Sequence, residues 1–211
     1  MPPASPRIAV VDHGAGNIRS VAKALERSAL AVEVTSDAAG LAHFDALVVP
    51  GVGAFADAMA SLRAKGLADA LRRAIGDGRP YLGLCLGLQV LFESSDEHGL
   101  TPGLGVLPGR IERFPATHPL HVPHIGWNQV RWCGEHPIAK QMPREDAYYF
   151  VHSYRAVGAD AGDVAGVTDY GGELTTAVAR ENVFAVQFHP EKSQSAGKRL
   201  LDAFAAWLRA C

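Results

Sequence analysis

The sequence predicts an α/β fold: a single doubly wound, mostly parallel sheet with helices on both faces and an antiparallel extension. Three observations predict it. Residues 8–11, 46–49 and 81–84 are short apolar runs without polar alternation, as expected of strands buried on both faces. Longer stretches with helical spacing separate them. After Ser94 the texture changes to short strand-like pieces set off by turn residues.

Taken in order, residues 8–12 (Ile8-Ala9-Val10-Val11-Asp12) read as a first strand. A Gly-rich turn follows, and residues 17–30 carry apolar positions at Ile18, Val21, Ala22 and Leu25, one face of a helix. The unit repeats with a strand at 32–34, another at 46–49 ahead of Pro50, an amphipathic stretch over 55–75, and a strand at 81–84 that runs into a helix over 86–94. The second half reads as strands near 110–114, 121–131 and 148–154, with a Gly171-Gly172 hairpin between residues 164 and 179. An apolar run at 183–188 and a last helix over 195–209, with Leu200, Leu201, Phe204 and Leu208 on one face, close the chain.

With 211 residues, nearly half of them apolar, and no repeat or linker, one domain over residues 7–211 is expected, preceded by a short disordered tail over residues 1–6. Charges nearly balance, 20 Lys plus Arg against 22 Asp plus Glu, so neither nucleic acid nor an anionic membrane is an expected partner. No apolar run near the start is long enough for a secretory or membrane segment, and a cytoplasmic location is expected. Three cysteines, Cys85, Cys133 and Cys211, lack the pairing of a disulfide framework or a zinc knuckle. His118, His121 and His124 are spaced by three, but Pro119 and Pro123 break any helix that would align them, so no metal is expected. In Gly14-Ala15-Gly16-Asn17-Ile18-Arg19, Arg19 stands where a dinucleotide-binding turn needs its third glycine, and no cofactor is expected.

Gly83-Leu84-Cys85-Leu86-Gly87 puts a cysteine between two glycines at a strand-to-helix junction, the pattern of a nucleophile elbow with sulfur in place of oxygen. The glycines let strand and helix approach, and the positive end of the helix favours negative charge at the turn. Read alone, Cys85 is equally a small buried apolar residue, and that reading holds for Cys133 and Cys211. Gln187-Phe188-His189-Pro190-Glu191 ends the last apolar strand, at the sheet edge where open α/β sheets collect their functional groups. Pro190 biases His189 towards extended geometry, which lets His189 and Glu191 share a face, the carboxylate orienting the imidazole. Alone this is a solvated strand end; together with Cys85 it makes a nucleophile, base and orienter in chain order. Pro50-Gly51-Val52-Gly53 follows a strand to the same edge and offers glycine-flanked N–H groups to an oxyanion.

These three blocks, with Leu88 and Gln89 after the first and Lys192 and Ser193 after the second, resemble the triad-type (class I) glutamine amidotransferases. Asp12-His13-Gly14-Ala15-Gly16-Asn17, Val122-Pro123-His124-Ile125-Gly126-Trp127-Asn128 and Tyr149-Phe150-Val151-His152-Ser153-Tyr154 narrow the likeness to the glutaminase subunits of imidazole glycerol phosphate synthases. His13 departs from that pattern, where many relatives carry tyrosine. The resemblance implies that Cys85 attacks the glutamine side-chain amide, with His189 as base and Glu191 holding the ring. It implies backbone donors for the oxyanion at the Gly51-Val52 loop and Leu86, glutamine contacts at Gly53, Gln89, Ser153 and Tyr154, and no metal or cofactor. It also implies a (β/α)₈-barrel cyclase partner in a heterodimer, which uses the ammonia to form imidazole glycerol phosphate and an aminoimidazole carboxamide ribotide. Asn17, Trp127, Asn128, Tyr149 and Lys192 are the expected interface or gate. The glycines make reorientation of the Gly51-Val52 peptide cheap, so that donor is expected to turn into place on docking. A sister amidotransferase with another acceptor, and a silent subunit that only supports a barrel, are the competing readings.

Overall fold

A chain whose strands are apolar on both sides must be covered twice, and two separate cores do this. In the computed structural model, which describes residues 5–117 and 119–210, the first strand, β1 (Arg7–Val11), sends Ala9 and Val11 to one core and Ile8 and Val10 to the other. β2 (Ala31–Thr35), β3 (Ala46–Gly51), β4 (Tyr81–Cys85) and β13 (Val183–Val186) run parallel to it in the order β2-β1-β3-β4-β13. Helix α1 (Ile18–Glu26) and the last helix, α6 (Gln194–Ala210), cover one face through Val21, Leu25, Leu200 and Phe204. Helices α2 (Phe55–Ala64) and α3 (Leu67–Gly76) cover the other through Phe55, Met59, Leu62, Leu71 and Ile75. In β3, β4 and β13 each alternation in side-chain direction thus lands in a packed layer and no charged residue interrupts the strand, whereas β2, at the end of the strand order and largely exposed, carries Glu33.

The amphipathic stretch over 55–75 is two helices, because Gly66 adopts a left-handed conformation (φ +69°) that ends α2 and redirects the chain. The helix expected over 86–94 is a single turn, α4 (Leu86–Gln89), followed by strand β5 (Phe92–Ser95). Its continuation is prevented by competition for carbonyls: Val90 O accepts from Leu104 N–H, and Leu91 O from Val106 and Leu107 N–H, at 2.7–3.0 Å. The antiparallel part comprises β6 (Thr101–Pro102), β7 (Leu107–Arg113), β8 (His124–Trp132), β9 (Glu145–His152), β10 (Tyr154–Val157), β11 (Val164–Asp169) and β12 (Glu173–Arg180). β12 pairs antiparallel with β13 and so joins it to the parallel half; within this part β5 and β7 are parallel to each other. The β11–β12 connection carries the expected Gly171-Gly172 turn. Residues 1–4 of the expected tail, His118 and Cys211 lie outside the described residues. No helix among the described residues is long and apolar enough to cross a membrane.

The short helix α5 (Pro137–Lys140) is capped by His136, whose Nδ1 accepts the Ile138 N–H at 3.2 Å while its ring packs on Phe184 and Trp207. Burial lowers the His136 pKa to about 4. Between the ordinary value of 6.5 and about 4 the unfolded chain binds a proton that the folded chain refuses, so His136 makes stability fall as pH falls through that window. Asparagine keeps a capping oxygen and does not titrate. Denaturant midpoints at about pH 7 and about pH 5 are therefore expected to separate less for His136→Asn than for the parent chain.

Candidate active site

Cys85 is the last residue of β4, and its backbone sits at φ +54°, ψ −103°, a conformation that a side-chain-bearing residue adopts only under constraint. The constraint comes from the flanking glycines. A Cβ on Gly87 would lie 1.8 Å from Val49 O, and one on Gly83 2.4 Å from Gly87 O, so α4 is pressed onto β3 and β4. Tyr81 Oη fastens the turn by donating to Gly87 O at 2.7 Å. This is the elbow that the glycine spacing predicts. The macrodipole part of that expectation is weaker than it reads, because α4 is one turn long.

β13 delivers His189 to the same edge, since β13 and β4 are parallel neighbours with Val186 opposite Leu84. His189 is held by its own N–H to Tyr149 O (3.0 Å) and by Ser193 Oγ donating to His189 O (2.6 Å). The turn that carries it is wedged under α6, where a Cβ on Gly197 would lie 1.8 Å from Pro190 O. Nδ1 lies 2.8 Å from Glu191 Oε1, with the two side chains 4% and 3% exposed. A carboxylate can only accept there, so Nδ1 carries the proton and Nε2 is left for Cys85. Nε2 is buried and has no hydrogen-bond partner of good geometry among the described residues. Burial alone would lower the imidazole pKa, but Cys85 and Glu191 outweigh it and raise the pKa to about 10. The ring therefore readily accepts a proton.

A cavity of about 420 Å³ opens in front of Cys85, lined among others by Val52, Gly53, Leu86, Gln89, Ser153 and Tyr154. Gly51 lies behind it, opposite Cys85 in the β3–β4 ladder. Among the described residues, the N–H groups of Val52 and Gly53 donate to no carbonyl in the loop hydrogen bonds.

The sequence pattern of the family described as Glutamine amidotransferase class-I matches residues 9–206. The protein named Imidazole glycerol phosphate synthase subunit HisH from Synechococcus sp. (strain JA-3-3Ab) is 48% identical over 200 residues, 94% of this chain and 92% of that one. Its counterpart in Methylococcus capsulatus is 49% identical over 209 residues, 95% and 96% of the two chains. The chain belongs to the class-I glutamine amidotransferases, within the HisH family. Among solved structures, PurLQS from Thermotoga maritima superposes with a TM-score of 0.77 at 20% identity, covering 97% of this chain and 100% of that one. Another, described as a glutamine amidotransferase, gives 0.76 at 20%, covering 97% and 99%. At such identities these two speak for the fold alone.

In this amidotransferase the residues expected at an interface fall into two groups. Trp127 and Tyr149 meet edge to face at 6.2 Å, and Lys192 Nζ lies 5.7 Å over the Tyr149 ring while also lining the cavity. Trp127 remains half exposed. Asn17 is exposed at the start of α1, next to Gly16, which abuts Gly51. Asn128 points instead into a buried hydrogen-bonded chain. His152 Nδ1 lies 2.8 Å from Tyr154 O and must donate, so its Nε2 accepts from His124 Nδ1 (3.0 Å). His124 Nε2 in turn accepts from Asn128 Nδ2 (3.3 Å). Burial, with the neighbouring His189 charge, lowers the His152 pKa to about 4 and keeps the chain in this tautomer.

Sequence reasoning misses three groups at the site. Gln187 Nε2 contacts Cys85 Sγ at 3.5 Å, and its Oε1 accepts from Gln89 Nε2 at 3.1 Å. His152 and Glu97 line the cavity, and Glu97 Oε2 accepts from Phe55 N–H at 2.6 Å. Gln187 and His152 lie inside the recognised blocks, where their position beside functional residues is the available signal. Glu97 has none.

Proposed function

We propose that this chain is the glutaminase subunit of an imidazole glycerol phosphate synthase, hydrolysing L-glutamine to glutamate and ammonia at Cys85, His189 and Glu191. The observation that carries the reading is Cys85 held at φ +54° at the end of β4, beside a histidine whose other nitrogen is bound to a buried carboxylate. Glutamine enters the cavity with its amide towards Cys85, positioned by Gly53, Gln89, Ser153 and Tyr154, and Glu97 provides a counter-charge for the α-ammonium group. Cys85 Sγ attacks the amide carbon as His189 Nε2 takes the thiol proton. The oxyanion is met by N–H groups of the Gly51-Val52 loop and Leu86. His189 returns the proton to the amide nitrogen, the C–N bond breaks, and ammonia leaves a glutamyl thioester. Water then attacks with its proton passing to His189; the C–S bond breaks, glutamate departs and the thiol is restored.

The partner in this reading is a (β/α)₈-barrel cyclase in a heterodimer, docked over Asn17, Trp127, Tyr149 and Lys192, with Asn128 behind them. It consumes the ammonia to form imidazole glycerol phosphate and aminoimidazole carboxamide ribotide in histidine biosynthesis. The HisH names of full-length relatives support this branch, and residues 7–211 serve as one amidotransferase domain in the cytoplasm. Ammonia release from glutamine, measured with and without a cyclase partner and its nucleotide ligand, is expected to be stimulated at least tenfold by the loaded partner, about 1.4 kcal/mol of barrel-induced activation. A rate that ignores the cyclase, with ammonia going to another acceptor, would identify a sister amidotransferase instead.

A further inference from the structure

The back of the oxyanion loop makes a contact that the reaction scheme above does not use. His13 follows β1 by two residues and is 2% exposed, with Nε2 2.9 Å from Pro50 O. A carbonyl oxygen only accepts, so Nε2 carries a hydrogen, and Nδ1 is buried without a partner among the described residues, which suits a neutral ring. The next residue, Gly51, is squeezed on both sides: a Cβ there would stand 3.1 Å from His13 Nε2 and 2.8 Å from Leu86 Cβ. The segment bearing His13 is itself tied to α2, the helix that the loop enters. Ser61 Oγ donates to His13 O, and Lys65 Nζ donates to Asp12 O at 3.1 Å. Past Gly51 the restraint ends. Val52 is 41% exposed, and Gly53, at φ +99°, has open space around its missing side chain. One end of the loop is clamped and the other is free.

We propose that His13 is a positioning residue for glutamine hydrolysis: its Nε2–H fixes the Pro50 carbonyl, and with it the Pro50–Gly51 peptide, the root on which the following Gly51–Val52 peptide and its oxyanion-donating N–H turn. This rests on the glutaminase reading above. An oxyanion donor acts only if it lies about 2.7–3.1 Å from the developing charge, so a loop that swivels at its root loses transition-state stabilisation without losing ground-state glutamine. On the same reading glutamine is held by Gln89, Glu97 and Tyr154, cavity-lining residues outside this loop.

The test is steady-state glutaminase kinetics of the chain with its cyclase partner, comparing the parent with His13→Gln and His13→Met. The two replacements have similar shapes, but only glutamine keeps an N–H at the end of its side chain. His13→Met is expected to lower kcat about tenfold or more with KM within about twofold, and His13→Gln to recover most of that loss at a similar melting temperature. Unchanged kcat in His13→Met, or equal losses in both variants, would show the ring to be packing only and overturn the proposal. A Cys85→Ala control in the same assay separates this outcome from failure of the glutaminase reading, since only the latter leaves ammonia release in the control.

Discussion

Replacing Cys85 with alanine is expected to lower glutaminase kcat by about four orders of magnitude or more while the chain stays folded and still binds glutamine. The loss is large because the proposed route runs through a thioester on Cys85, which alanine cannot form. Gln187 and Gln89, the polar side chains hydrogen-bonded next to the sulfur, are amides and cannot form the thioester. Folding is expected to survive because the sulfur contributes one long hydrogen bond, and the positive φ at residue 85 is imposed by the glycines around it. Ammonia release and calorimetric glutamine binding, run on the same preparation, separate loss of chemistry from loss of the site.

Gly87→Ala is expected to damage both stability and activity. Its Cβ would stand 1.8 Å from Val49 O, a backbone atom in the middle of a buried parallel ladder, so α4 must lift off β3. Overpacking typically costs about 1–3 kcal/mol, and a clash with backbone falls at the upper end or beyond. Moving α4 displaces Leu86 and Cys85 together, and displacement of about 1 Å at a reacting centre reduces rate by about a hundredfold. A fall in melting temperature with at least that loss of kcat is the expected result. Gly76→Ala is the control, since a Cβ there meets nothing within 4 Å at the end of α3; it is expected to leave kcat unchanged and the melting temperature equal or slightly higher.

The elements that sequence reading locates best are those whose meaning is local. Strands buried on two faces show as unbroken apolar runs, and β1, β3, β4 and β13 are found where those runs lie. Five consecutive residues around Cys85 define a turn; Gly83 is needed for a contact within it, and Gly87 for the close approach to Val49 on the neighbouring strand. Pro190 similarly ties His189 to Glu191 two residues on. What the sequence conceals is set by distant partners. Apolar spacing over 86–94 suits a helix, but the carbonyls of Val90 and Leu91 are claimed by residues 104–107. Glu97 reaches the cavity because that capture creates β5, and its partner Phe55 is 42 residues away. Neither periodicity nor charge pattern records such a pairing. His13 reads as a departure from a motif, and its contact with Pro50 emerges only when β1 and β3 lie side by side.

Ammonia made at Cys85 is expected to pass to a docked cyclase without mixing with ammonium in the bulk solution. Glutamine isotopically labelled at its amide nitrogen, supplied to the assembled complex with an excess of unlabelled ammonium, tests it most directly. Label retained undiluted in the imidazole product, and absent from that product with Cys85→Ala, is the result expected. Label diluted to the level of the bulk ammonium pool would contradict delivery from this site to the partner.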